Sequence, residues 1–120
     1  MGQSDKHDER IAGLSFSDVY PLYLAKVERK GRTQKELDQV IHWLTGFSSA
    51  QIKKLLHSNL TFAEFFEKAT LHPNASLIKG SICGVRVEAI KTPLTQKIRY
   101  LDKLVDELAK GKKLESILRE

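Results

Sequence analysis

The chain has 120 residues, 41% of them hydrophobic and 29% charged, and its formal net charge is +5. These values are typical of one soluble domain with a single hydrophobic core, and they exclude collagen-like and disordered proteins. No apolar stretch approaches the roughly 18 residues that a membrane-spanning helix needs, and no apolar run follows a basic N-terminal segment. The sequence therefore predicts neither a transmembrane nor a classically secreted protein.

The first residues are polar and charged without periodicity, which predicts a disordered tail over residues 1–13 and a single helical domain over residues 14–120. Apolar residues then recur at helical spacing from Phe16 to Val27, which predicts a first helix. Ser15 or Ser17 is its expected cap, and Gly31 is its expected stop.

Three capping boxes predict the next three helices. In a capping box, a Ser or Thr and a Glu or Gln three residues later each bond a backbone N–H that the helix leaves unpaired. The boxes are Thr33 with Glu36, Ser48 with Gln51, and Thr61 with Glu64. An apolar stripe of helical period follows each box, and the connections are so short that consecutive helices must pack at sharp angles.

Residues 77–90 carry a mixed signal. The run from Val85 to Glu88 alternates like a half-buried strand, but Gly80 and Gly84 interrupt any long element. Because no second alternating run exists to pair with it, we favour a short helix over residues 75–82, a glycine turn, and a second short helical or irregular piece. A short hairpin is the alternative.

Thr92-Pro93 predicts the start of a long helix that runs to Lys110 and stops at Gly111. Its apolar seam is too short for a coiled coil, so we expect it to be buried within the monomer. The seam consists of Leu94, Ile98, Leu101, Val105 and Leu108. With a last short helix over residues 114–118, the predicted fold is mainly α. It is a compact single-domain bundle of five to six helices, with at most one short β ribbon near residues 82–88.

The sequence predicts no metal site and no cofactor. The four histidines are widely separated, and no pair has the spacing of a metal-binding helix. Gly80 and Gly84 match neither common phosphate-loop pattern. Cys83 has no adjacent base, and as the one cysteine it cannot form an intrachain disulfide, which is typical of a reducing compartment and predicts a cytoplasmic location.

The first candidate site is the turn from Cys83 to Glu88, which we expect to lie near the start of the long helix. The ligand or partner candidates are Cys83, Arg86, Glu88, Arg99, Tyr100 and Asp102. The favoured alternative is a structural turn that an Arg–carboxylate pair holds in place, since such pairs are common in protein scaffolds.

The second candidate site is a helix-turn-helix over residues 33–58. Glutamine can read adenine and lysine can hold phosphate, so its second helix supplies nucleic-acid candidates. These are Gln51, Lys53, Lys54 and His57. The predicted helix contains no arginine, and the positive charge of the chain is spread thinly, so we expect weak or absent nucleic-acid binding.

Two small basic clusters stand out along the chain. The first contains Lys26, Arg29, Lys30, Arg32 and Lys35, and the second contains Lys110, Lys112 and Lys113. Both lie at or after predicted helix C-termini, where the helix dipole favours cations. We interpret them as a solvated basic surface.

Several strings resemble one bacterial family, catalogued as domain of unknown function 2200. They include Val19-Tyr20-Pro21-Leu22-Tyr23, Trp43-Leu44-Thr45-Gly46, Cys83-Gly84-Val85-Arg86-Val87-Glu88 and the run from Arg99 to Gly111. The resemblance extends over nearly the whole chain from about Leu14, and it implies a small bacterial, cytoplasmic protein. It brings no activity and no catalytic residues to this chain.

These observations favour a non-catalytic binding or regulatory module, because no nucleophile–base or metal constellation is recognisable. Its partner would be an unknown protein or a second copy of the chain, and no membrane association is predicted. One alternative is a small enzyme that uses the Cys83–Glu88 turn. The other is a weak DNA-binding protein that acts through the helix-turn-helix.

Overall fold

The computed structural model describes residues 13–82 and 84–119. The tail predicted over residues 1–13 therefore lies outside the described residues except for Gly13, as do Cys83 and Glu120. Six α-helices are described, namely α1 (Phe16–Glu28), α2 (Gln34–Thr45), α3 (Ser49–Leu56), α4 (Phe62–Lys68), α5 (Pro93–Ala109) and α6 (Leu114–Ile117). With one small antiparallel sheet they form a compact globule, which confirms the predicted mainly α fold class.

The three predicted capping boxes are present at the starts of α2, α3 and α4. The start of α1 differs, because the side chain of Ser15 makes no capping hydrogen bond. Backbone pairing takes its place: Phe16 N–H donates to Leu60 O at 3.0 Å, and Phe62 N–H donates to Leu14 O at 2.8 Å. The starts of α1 and α4 are thus held side by side.

Hydrogen bonds between helices give the directions in which they pack. The Tyr23 hydroxyl donates to Asp102 and Lys26 donates to Asp106, so α1 and α5 run parallel. The Tyr20 hydroxyl donates to Asp38 and accepts from Gln34, which joins α1 to the start of α2. The largest fully buried side chains are Phe16, Phe62, Phe65, Leu37, Ile41, Leu44, Ile52, Ile78, Ile98, Leu101, Leu104 and Leu108. The seam of α5 is therefore core, as predicted, with Leu94 half-buried at its start.

The segment before α5 corrects the local prediction. Only Ala75–Leu77 forms a short 3-10 helix, and residues 78–82 are not helical. Strands β1 (Ser81–Ile82) and β2 (Val85–Arg86) pair as an antiparallel hairpin, which was the alternative. A second 3-10 helix, Val87–Ala89, follows. This helix and the turn at Gly84 fit the predicted glycine turn and second short piece. The preference for a helix as far as residue 82 was wrong because it sought a distant strand partner, whereas β2 pairs with the two residues of β1 just before it, through the left-handed backbone of Gly84 (φ 78°).

None of the helices in the described part is both long and apolar enough to cross a bilayer. The long helix α5, which has 17 residues, alternates buried apolar positions with charged ones. It lies at the centre of the fold, where α1, α2, α4, α6 and the hairpin all pack against it.

Candidate functional site

The hairpin candidates Arg86 and Glu88 form an ion pair that closes on itself. Arg86 Nη2 lies 3.0 Å from Glu88 Oε2, and Gly80 N–H donates to the other carboxylate oxygen at 2.9 Å. The Gly80 amide and then the Arg86 guanidinium lower the pKa of Glu88 to about 2. The carboxylate is thus fully engaged in fixing the hairpin, as the structural alternative predicted. Cys83 lies outside the described residues.

The α5 candidates face other parts of the fold. Asp102 accepts hydrogen bonds from Arg99 at 2.9 Å and from the hydroxyl of Tyr23 on α1. Tyr100 is buried in the core, and burial raises its pKa. Asp102 therefore joins α5 to α1, and the described contacts do not bring it to the Arg86–Glu88 pair.

The helix-turn-helix candidates lie on an eight-residue helix, α3. Gln51 is committed to the capping box, since its side-chain oxygen accepts from Ser48 N–H at 2.8 Å. Lys53, Lys54 and His57 are exposed, as the spacing predicted. Gln51, the candidate that could bond a base, is thus engaged in capping its own helix. The remaining lysines of this face suit contact with phosphate rather than with bases.

A groove that the sequence reading missed runs along the outer face of α2. It consists of two adjoining clefts of about 410 and 520 Å³, and Gln39 and His42 line both. One cleft is completed by Trp43, Gly46, Thr70, Leu71, His72, Pro73 and Leu118. The other is completed by Gln34, Lys35, Asp38, Ser48, Ser49 and Lys53. We call this whole surface the α2 groove.

The floor of the first cleft is an aromatic stack. The ring of Trp43, the only tryptophan of the chain, lies 4.2 Å from the ring of His72, with 18° between their planes. Two backbone hydrogen bonds hold the loop that carries His72 against the end of α2. The backbone N–H of His72 donates to Leu44 O at 3.0 Å, and the backbone N–H of Thr70 donates to Thr45 O at 2.9 Å. Trp43 is 6% exposed, and its indole Nε1 has no hydrogen-bond partner among the described residues.

The two histidines of the α2 groove are held in opposite tautomers when neutral. His42 Nδ1 lies 2.9 Å from Phe47 O, a pure acceptor, so Nδ1 carries the proton and Nε2 accepts. His72 Nδ1 accepts from Asn74 N–H at 2.9 Å, so its Nε2 carries the proton. The groove thus offers an acceptor and a donor nitrogen. No three metal-ligating side chains come together in the described ranges.

Part of the polar lining of the α2 groove is left unengaged by the fold. Lys35, Gln39, Ser49 and Lys53 make no side-chain hydrogen bond or ion pair with any described residue. The sequence does hold a partial signal for this surface, because Lys35, Gln39 and His42 follow helical spacing on the polar side of α2. Nothing local indicates that the loop carrying His72 folds back beside them.

One family model matches nearly the whole chain. The model of the family described as "Uncharacterized protein conserved in bacteria (DUF2200)" matches residues 10–119, and the chain belongs to this family. The fold is similar to the crystal structure of uncharacterized protein SP1917, with 43% sequence identity and a TM-score of 0.87. That similarity covers 92% of this chain and 91% of the other. No curated protein gives a significant match.

Proposed function

We propose that this DUF2200 protein is a non-catalytic binding module of the bacterial cytoplasm that holds a segment of a partner protein in the α2 groove. One observation carries the proposal: the side chains of Lys35, Gln39, Ser49 and Lys53, which all line this groove, are left unengaged by the fold. Donors and acceptors that make no internal hydrogen bond can bond a partner without breaking a bond within the fold, so only their hydration is lost on binding.

The lining of the groove indicates the chemistry of the segment. Lys35 and Lys53 are the cations of one cleft, and its carboxylate, Asp38, already accepts from Tyr20. The other cleft is lined by Pro73 and Leu118 beside the Trp43–His72 stack. The matching segment therefore presents an acidic side chain to the lysines and an apolar side chain to the aromatic end.

The state of the hairpin supports binding over the small-enzyme alternative. A general acid or base works best when its pKa lies near the working pH, whereas the pKa of Glu88 is about 2. Its oxygens are also held by Gly80 and Arg86. Recruiting this carboxylate for catalysis would require breaking the contacts that fix the hairpin.

Site-specific photo-crosslinking in living bacteria tests the proposal. The photoreactive amino acid p-benzoylphenylalanine is placed at Gln39 in the α2 groove and, as a matched control, at Glu115, an exposed position on α6. We expect a discrete protein adduct from position 39 that is absent from position 115. The double variant Lys35→Glu/Lys53→Glu should abolish it, because the acidic side chain of the segment would then be repelled.

A second measurement ties the adduct to the groove in purified form. The cross-linked segment is synthesised as a peptide and titrated against the protein while the fluorescence of Trp43 is recorded. A saturable change that disappears in the double variant is expected. An adduct equally strong from position 115, or one that survives the charge reversal, would contradict the proposal.

A further inference from the structure

Parts of the two basic clusters, 80 residues apart in sequence, meet at one end of the fold. The guanidinium of Arg32 donates to Leu108 O at 3.3 Å and to Lys112 O at 2.7 Å. Lys26 lies 3.3 Å from Asp106. Because α1 and α5 run parallel, their C-termini lie side by side, and the cations that follow each helix are collected on one surface.

A cleft of about 810 Å³ lies between these two helix ends, here called the basic cleft. Its lining contains four cations and one carboxylate, a net charge of +3, and is completed by Ala109 and Gly111. The charged residues are Lys26, Arg29, Lys30, Lys110 and Asp106. Burial disfavours the ionised form of Asp106, but Lys110 at 3.1 Å and Lys26 outweigh it and hold its pKa below the usual value. The carboxylate thus fixes a lysine on each wall of the cleft.

The cations of the basic cleft are not needed to end the helices. Gly31 N–H donates to Glu28 O at 3.0 Å, and Gly111 N–H donates to Leu108 O at 3.1 Å, so backbone groups satisfy these terminal carbonyls. In the described part of the chain, the side chains of Arg29 and Lys30 make no hydrogen bond or ion pair. Two exposed cations therefore remain available at the mouth of the cleft.

We propose that the basic cleft binds the phosphate backbone of a nucleic-acid duplex without reading its sequence. Single strands are held largely by aromatic stacking platforms, and the lining of the cleft contains no aromatic residue. The buried centre of a protein interface is depleted in charge and rich in aromatic or apolar residues, whereas this lining is mostly charged. Concave walls of cations suit a row of phosphates.

The net charge gives the expected salt dependence. Neutralising about three phosphates corresponds to a slope of about −2.7 in log K against log salt. Affinity should therefore fall about 40-fold between about 50 and 200 mM salt. Binding of this type is weak at physiological salt, which agrees with the weak binding expected from the sequence while assigning it to a different surface.

Fluorescence anisotropy of a labelled DNA duplex at a series of salt concentrations tests this proposal. The variant Arg29→Gln/Lys30→Gln should lower the slope to about −0.9, so that affinity falls only three- to fourfold over about the same salt range. The control Lys54→Gln/Lys68→Gln removes the same charge from exposed positions outside both the basic cleft and the α2 groove, and it should leave the slope unchanged. Circular dichroism of both variants checks that the fold is intact.

Three results would overturn the proposal. The first is no binding at the lowest salt, and the second is a slope that changes with the Lys54/Lys68 control rather than with Arg29 and Lys30. The third is tighter binding to poly-glutamate or to phosphatidylserine vesicles than to duplex DNA or duplex RNA, which would point to an acidic protein or a membrane surface. Both variants leave Lys35 and Lys53 of the α2 groove unchanged, so failure of this proposal does not count against that groove.

Discussion

Replacement of Leu101 by Ala measures how far the centre of the fold depends on α5. Leu101 is fully buried, as are Leu104 and Leu108 on the same helix. Truncating such a leucine removes its transfer free energy and leaves a cavity that close-packed neighbours fill only in part, so the loss should be about 2–5 kcal/mol. Total stability for a domain of this size is about 5–15 kcal/mol, so the variant should still fold.

Urea unfolding followed by circular dichroism gives the loss directly. With a slope of about 2 kcal/mol/M, a loss of 3 kcal/mol lowers the midpoint by about 1.5 M without changing the slope. Leu22→Ala is the matched control, because Leu22 is a helical leucine that is 67% exposed, and its replacement should change stability by less than about 0.5 kcal/mol.

The same titration separates a core role from a dimer contact. A core residue gives a loss that does not depend on protein concentration, whereas a dimer contact gives a loss that grows as concentration rises, because only the dimer carries the contact. A loss below about 1 kcal/mol for Leu101→Ala, or a strong concentration dependence, would refute the assignment of α5 to the core of the monomer.

Three further outcomes are expected from single changes. Tyr23→Phe removes a hydrogen bond to the Asp102 carboxylate and should cost about 1–3 kcal/mol in urea unfolding. Gly46→Ala forces a Cβ onto a residue with φ of 79° and should lower thermal stability by about 1–2 kcal/mol. Because the folded pKa of Glu88, about 2, lies below its unfolded value of about 4.3, its ionised form stabilises the fold at neutral pH, and this part is lost as the pH falls between those values. Glu88→Gln should remove that part of the acid dependence when unfolding is measured at stepped pH.

Most of the helices could be predicted from the sequence because their determinants are local. The boxes at Thr33, Ser48 and Thr61 each act over three residues, and each is present at a helix start. Pro93 begins α5 because the first helical position needs no backbone N–H, and Gly111 follows its end in the left-handed region. An interaction between residues within one helical turn can be predicted from the sequence, because both partners are close together in it.

The hairpin shows where local reading fails. The glycines and the alternating residues were visible, but a strand of two residues carries too little periodicity to be told from a turn. The choice between a helical piece and a hairpin was decided by contacts from elsewhere. Lys103 on α5 donates to Ser81 O at 3.1 Å, and Gln96 donates to Val87 O at 3.1 Å.

Both proposed binding surfaces depend on the tertiary structure. Residue types and helical spacing place Lys35, Gln39 and His42 on one face of α2, yet only the packed loop sets His72 against Trp43 beside them. Charge counts show two separate basic clusters, and only the parallel packing of α1 against α5 makes them one cleft. The sequence alone determined which helices form, because caps and apolar stripes act over a few residues. The packing of those helices decides which side chains come into contact when they are about 80 residues apart in the sequence. No short-range sequence pattern indicates such contacts.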